Sequence, residues 1–155
     1  MYSKEEAKEL RLEFWRKLEN RTRRLPGQKG KARTWILDNT GVKGVDLRFE
    51  VTRERAIVAL EINHRSEERR LMLYAKLDAC KAIFEETYGV PLIWDYTYEK
   101  ENGQQVCRVY RQEEADLYKP DQWPDVFRFL IDNMMRMEEA FLEVKDFLKY
   151  DELGQ

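Results

Sequence analysis

An apolar stripe near the C-terminal end constrains this chain more than any other feature. Trp123, Phe127, Leu130, Met134, Met137, Phe141, Val144 and Leu148 recur at alternating spacings of four and three residues. That spacing keeps all of them on one face of an α-helix and predicts a helix over 121–150. Pro124 is no obstacle, because in the first turn its missing N–H costs nothing. Ile131, Met135, Leu142 and Phe147 lie beside or off the stripe and widen it. A face this long exceeds what one small sheet covers, so either the first helix packs along it or a second copy of the chain does. The reading favoured here is intramolecular packing, with a homodimer formed through the residual surface. Methionine-rich apolar faces adapt to partners, so Met134, Met137, Phe141 and Val144 are the expected partner interface.

The remaining elements can be placed around that helix. At 155 residues and 43% apolar, the chain can build one domain with a real core. Ser3 can cap a helix over 3–24, with Glu5 and Glu6 in its first turn, where negative charge suits the dipole. Ala7, Leu10, Phe14 and Leu18 recur on its core face. Pro26, Gly27 and Gly30 stop it. Strands are expected over 33–37, 44–51 and 55–63. Ser66 caps a second helix over 66–88, with Leu73, Leu77, Cys80 and Phe84 as its buried stripe and Gly89 as its terminator. Strands over 92–98 and 105–111 flank Asn102-Gly103, a type I′ hairpin signal. The order is α-β-β-β-α-β-β-α: a single α+β domain with a mostly antiparallel sheet packed by helices.

Charge narrows the classes of partner. Lysine and arginine number 28 against 30 aspartates and glutamates, so no bulk attraction to nucleic acid is expected. Local balance differs. Over 16–33 there are eight basic residues and one acidic residue, Glu19. Arg21, Arg23, Arg24, Lys29 and Lys31 in this segment could grip phosphates without reading sequence, and Trp15 and Trp35 are near enough to offer stacking surfaces. The competing reading is a solvated helix end with core aromatics. Cys80 and Cys107 make no disulfide framework, and His64 is the single histidine. No apolar run approaches the roughly 20 residues that a membrane span needs. A cytoplasmic protein with no membrane partner is the expectation.

The stretch VALEINHRSEERR reads as a strand that ends in a carboxylate and runs into a charged helix. A two-residue turn at Arg53-Glu54 that matches the apolar faces puts Leu47 beside Leu60 and Asp46 beside Glu61. Like charges directly opposite are destabilising unless something intervenes. A divalent cation, Mg²⁺ or Mn²⁺, would relieve them, and so would an arginine such as Arg48, Arg65 or Arg69. In the metal reading, Asp46 and Glu61 are the ligands and the candidate catalytic pair for phosphodiester hydrolysis. In the structural reading, Asp46, Arg48 and Glu61 are salt-linked on an exposed sheet face. For the second hairpin, the Asn-Gly turn puts Asp95 beside Tyr110 and Thr97 beside Arg108. That polar face is expected to meet solvent.

Several stretches together carry a resemblance: FWRKLENR, the run LYAKLDACKAIFEETYGVPLIW, and DQWPDVFRFLIDNMMRMEEAF. The chain resembles the bacterial family catalogued as domain of unknown function 4268 (DUF4268), from about residue 13 to 148. The resemblance implies an association with nucleic-acid or defence systems, with a nuclease partner in a separate chain, and no assigned activity. The order αβββαβ is also that of the PD-(D/E)XK nuclease core. There the strand ends Glu-x-Lys, whereas here the triplet is Glu61-Ile62-Asn63. The expectation is therefore a non-catalytic, nucleic-acid-associated accessory protein on a degenerate nuclease-like fold. The alternatives are a protein–protein or dimerisation module using the C-terminal helix, and a metal-dependent nuclease.

Overall fold

Ser3 opens the first helix through a reciprocal cap. Its hydroxyl accepts from the Glu6 N–H at 3.1 Å, and the Glu6 carboxylate accepts from the Ser3 N–H at 2.9 Å. Two N–H groups with no partner inside the helix are thereby satisfied. In the computed structural model, which describes residues 2–25 and 40–150, this helix is α1 (Lys4–Arg23). It is followed by β1 (Val45–Val51), β2 (Arg55–Ile62), α2 (Glu67–Ala79), α3 (Lys81–Tyr88), β3 (Ile93–Glu99) and β4 (Gln105–Glu114). A 3-10 turn (Pro120–Gln122) then leads into α4 (Trp123–Lys149). The fold is the mixed α+β arrangement read from the sequence. The strand expected over 33–37 lies outside the described residues.

The four strands form one antiparallel sheet in the order β1-β2-β4-β3. From Ala56 to Ile62 every residue of the inner strand β2 is buried, so both its faces are covered. The described residues cluster into two compact units. The first comprises 2–25, Phe49–Ile57 and Gln112–Asp132; the second comprises 40–48, Val58–Arg111 and 133–150.

In the first unit, Phe14 of α1 stands edge-on to Trp123, with centroids 5.4 Å apart, and lies 4.9 Å from Phe127. The Trp123 indole donates to the Leu117 carbonyl at 2.7 Å. The start of the α4 stripe is thus covered by α1, one of the two solutions open from the sequence.

In the second unit, Met134, Met137, Phe141, Val144 and Leu148 are all buried. This corrects one expectation. Met134, Met137, Phe141 and Val144 fill the chain's own core and do not form an exposed partner surface. The packing that covers them is tied down by polar contacts. The Tyr88 hydroxyl of α3 donates to Asn133 Oδ1 at 2.7 Å, and Arg136 donates to the Tyr88 carbonyl at 3.1 Å. The apolar residues that α4 leaves exposed are Met135, Leu142 and Phe147, beside the stripe.

The helix expected over 66–88 is broken once. Cys80 takes φ −103° and ψ 13°, ending α2 and preceding α3. The hydrogen bonding resumes at once, with Phe84 N–H donating to the Cys80 carbonyl at 2.9 Å. The bend redirects the stripe so that Phe84 meets Trp94 and Tyr88 meets Asn133. No proline or glycine marks it in the sequence.

Candidate functional site

The first hairpin adopts the expected register. Thr52 N–H donates to the Arg55 carbonyl at 2.9 Å across the turn, and Asn63 N–H donates to the Gly44 carbonyl at 2.8 Å at the other end. Those two bonds place Asp46 opposite Glu61. Between them stands Arg48. Its Nε lies 3.0 Å from Glu61 Oε2, and its Nη2 lies 3.2 Å from Asp46 Oδ2. Asn63 makes a second bridge, its Nδ2 donating to Glu61 Oε2 at 2.8 Å and to Asp46 Oδ2 at 2.9 Å. An amide nitrogen carries two hydrogens, so one can go to each carboxylate. Where a nuclease strand would present a lysine, this chain presents a neutral clamp.

The second hairpin departs from its expected register, and the departure completes the site. The turn is wider than a type I′ turn. Gly103 N–H donates to the Lys100 carbonyl at 2.8 Å, and Lys100 N–H donates to the Gln104 carbonyl at 2.9 Å. Gly103 takes φ +87°, and Asn102 Oδ1 accepts from the Gln104 N–H at 2.9 Å. The pairing runs Glu99 to Gln105 and Tyr98 to Val106, then shifts at a bulge so that Asp95 faces Arg108 and Ile93 faces Tyr110. A one-residue shift moves side chains to the opposite face. Tyr98 therefore joins Arg108 and Tyr110, where unbroken alternation along β3 would put it on the face of Tyr96.

The face expected to meet solvent is covered instead. Arg108 is 1% exposed and Glu61 is 0% exposed. Arg108 donates to Glu61 Oε1 from Nε at 3.1 Å and from Nη2 at 2.9 Å. The Tyr98 ring lies 4.4 Å from the guanidinium carbon, a cation–π contact. Lys100 Nζ lies 3.5 Å from Glu61 Oε2. Burial alone would push the Glu61 carboxyl up. The hydrogen bonds from Asn63 and Arg108 and the charges of Arg48 and Arg108 outweigh it, and Glu61 sits below the ordinary carboxylate range.

This donor set does not fit a divalent cation. Both Glu61 oxygens accept from cations or an amide, Arg48 stands where a shared metal would bridge the two carboxylates, and three positive side chains surround the pair. Among the described residues there is no group of three or more His, Cys, Asp or Glu side chains that could hold a metal ion. Sequence reasoning brought Asp46, Arg48 and Glu61 together correctly. It missed Arg108, Tyr98, Lys100 and the bridging role of Asn63. The signal for Arg108 was present as a lone arginine between Cys107 and Val109, in a strand otherwise fit for burial.

The other candidates are dispersed. Arg21 is exposed, its guanidinium 4.8 Å from the Phe127 centroid. Arg23 pairs with Glu19 at 2.7 Å, and Arg24 is the exposed C-cap of α1. Lys29, Lys31 and Trp35 lie outside the described residues. Trp15 is half-buried, edge-on to Phe14. Among the described residues no helix is long and apolar enough to cross a membrane.

No curated protein and no solved structure matches the chain, so the likeness to a nuclease core gains no support from known folds. The model of one family, described as a domain of unknown function (DUF4268), matches residues 10–145. With that match covering most of its length, the chain belongs to the DUF4268 family.

Proposed function

We propose that this chain is a non-catalytic, nucleic-acid-associated domain that holds phosphates on the C-terminal part of α1. One observation supports this reading above the others: Arg16, Lys17, Arg21, Arg23 and Arg24 are all exposed, with Glu19 as the one acidic residue among them. Lys17 lies 5.5 Å from the Trp123 centroid, as Arg21 lies against Phe127, so aromatic surface supports the stems of both cations. Such a surface suits backbone contact with no base readout. The clamp on Glu61 and Asp46 supports the non-catalytic reading.

The test is fluorescence anisotropy of labelled single- and double-stranded DNA at low and moderate salt. Binding that weakens steeply with salt, and weakens about tenfold or more in Arg23→Glu with Arg24→Glu, is the expected result. No binding at low salt, or an unaltered affinity in that variant, overturns the proposal. A second reading, docking of a protein partner on α4, is favoured by the exposure of Met135 and Leu142, seven residues apart on one helical face. Where that partner is a second copy of the chain, it predicts a mass that rises with concentration.

A further inference from the structure

The second unit contains a cleft of about 430 Å³, within the range of small-molecule sites, roughly 300–1,000 Å³. Among the described residues its charged lining has one sign: Lys43, Arg69, Lys76 and Lys149 contribute cations, His64 contributes an imidazole, and no described aspartate or glutamate lines it. In a chain with more acidic than basic residues, a cavity so lined is a local reversal.

Two details prepare this cleft for an anion. The C-terminal end of α4 would present bare carbonyl oxygens and the negative end of its dipole. Lys76 of α2 covers that end: its ammonium donates to the Phe147 carbonyl at 3.4 Å and to the Tyr150 carbonyl. His64 is fixed by a backbone bond, its Nδ1 accepting from the Ser66 N–H at 3.1 Å. A neutral imidazole that accepts at Nδ1 carries its proton at Nε2 and is a donor there. Burial and the neighbouring charges of Lys43, Arg69 and Arg70 hold that imidazole below its ordinary range, in keeping with a positive local field. The remaining lining, Met72 and Tyr150 among it, is apolar or aromatic and can cover the organic part of a ligand.

We infer that this cleft binds a phosphomonoester carrying an aromatic or apolar group. The phosphate sits among Lys43, Arg69 and Lys149, and the organic group rests against Met72 and Tyr150. Two sources share that chemistry, a free nucleotide and the phosphorylated end of a nucleic-acid strand. The cleft uses none of the arginines of α1, so either proposal can fail without the other.

Isothermal titration with adenosine 5′-monophosphate, adenosine, and one oligonucleotide bearing either a 5′-phosphate or a 5′-hydroxyl tests the inference. The comparison protein is Lys43→Ala with Lys149→Ala, both exposed positions, with folding verified by circular dichroism. Binding of the monophosphate at least tenfold tighter than adenosine, lost tenfold or more in the variant, supports the site with a free nucleotide as its ligand. Preference for the 5′-phosphorylated strand over its 5′-hydroxyl form, lost in the same variant, supports the site with a strand end as its ligand. Failure of every phosphorylated probe to bind, or equal binding to the variant, overturns it. Retained binding in Arg23→Glu with Arg24→Glu separates this site from the surface on α1.

Discussion

Arg108 donates twice to the same carboxylate oxygen of Glu61, from Nε at 3.1 Å and Nη2 at 2.9 Å, and both side chains are buried. Removing one member of such a pair leaves the other charge stranded in a low dielectric, typically at a cost of about 3–5 kcal/mol. Arg108→Met is therefore expected to lower the unfolding free energy by about 3 kcal/mol, since Arg48 and Asn63 still partner Glu61. Adding Glu61→Leu should restore much of that loss. Urea titration of the two single variants and the double variant measures the coupling. Additive single effects would mean that the pair carries no special energy.

Acid should weaken the protein through Glu61. Its pKa is lowered in the fold, so the unfolded chain takes up this proton first as pH falls. The stabilisation is fully present above the ordinary carboxylate value of about 4.3 and is lost as pH drops through the lowered folded value. Urea midpoints between pH 6 and pH 3 should fall less steeply in Glu61→Gln than in the parent. Parallel pH profiles would show that Glu61 titrates alike in both states.

The two thiols should differ in reactivity. Burial pushes the Cys107 thiol up to about 11, more than the nearby Arg70 charge lowers it, and its Sγ lies 3.3 Å from the Tyr96 carbonyl. Cys80 is half-buried at the junction of α2 and α3. At pH 8 a thiol reagent should modify Cys80 at least about 100-fold faster, because the thiolate is the reactive form. Mass mapping of the labelled peptides checks this, and labelling of both sites at one rate in the folded protein counts against it.

Gly44 should tolerate no side chain. Its φ is +83°, and an added Cβ would lie 2.8 Å from His64 Cβ. The left-handed backbone alone costs an L-residue about 1–2 kcal/mol. Gly44→Ala is expected to lower stability by about 2 kcal/mol or more in chemical denaturation. A loss under about 0.5 kcal/mol would mean that the hairpin end relaxes freely.

The first hairpin and the last helix were legible because their apolar patterns leave few solutions. A two-residue turn at Arg53-Glu54 keeps Leu47 and Leu60 on the same face and places Asp46 opposite Glu61. A slip of two residues would also have matched the faces, and the bonds from Thr52 to Arg55 and from Asn63 to Gly44 decide for the first. The stripe from Trp123 to Leu148 fixes the buried face of α4 in the same way. The second hairpin was not legible. Asn102-Gly103 suits a two-residue turn, yet only a wider turn with Gly103 in the left-handed region is formed, and the bulge before Tyr98 shifts the register again. Together they bring Tyr98 onto the face of Arg108, a tertiary contact that no local pattern records. The break at Cys80 likewise accompanies the contacts of Phe84 with Trp94 and of Tyr88 with Asn133, which lie further along the chain.

The most direct test of the central claim, that the Asp46–Glu61 pair is a clamped structural element with no catalytic role, is a cleavage assay on plasmid and linear DNA with Mn²⁺ or Mg²⁺. The parent protein and Glu61→Gln would be compared at equal concentration. No metal-dependent cleavage above background in either protein is the predicted result. Metal-dependent cleavage by the parent that disappears in Glu61→Gln, with the variant still folded, would contradict it.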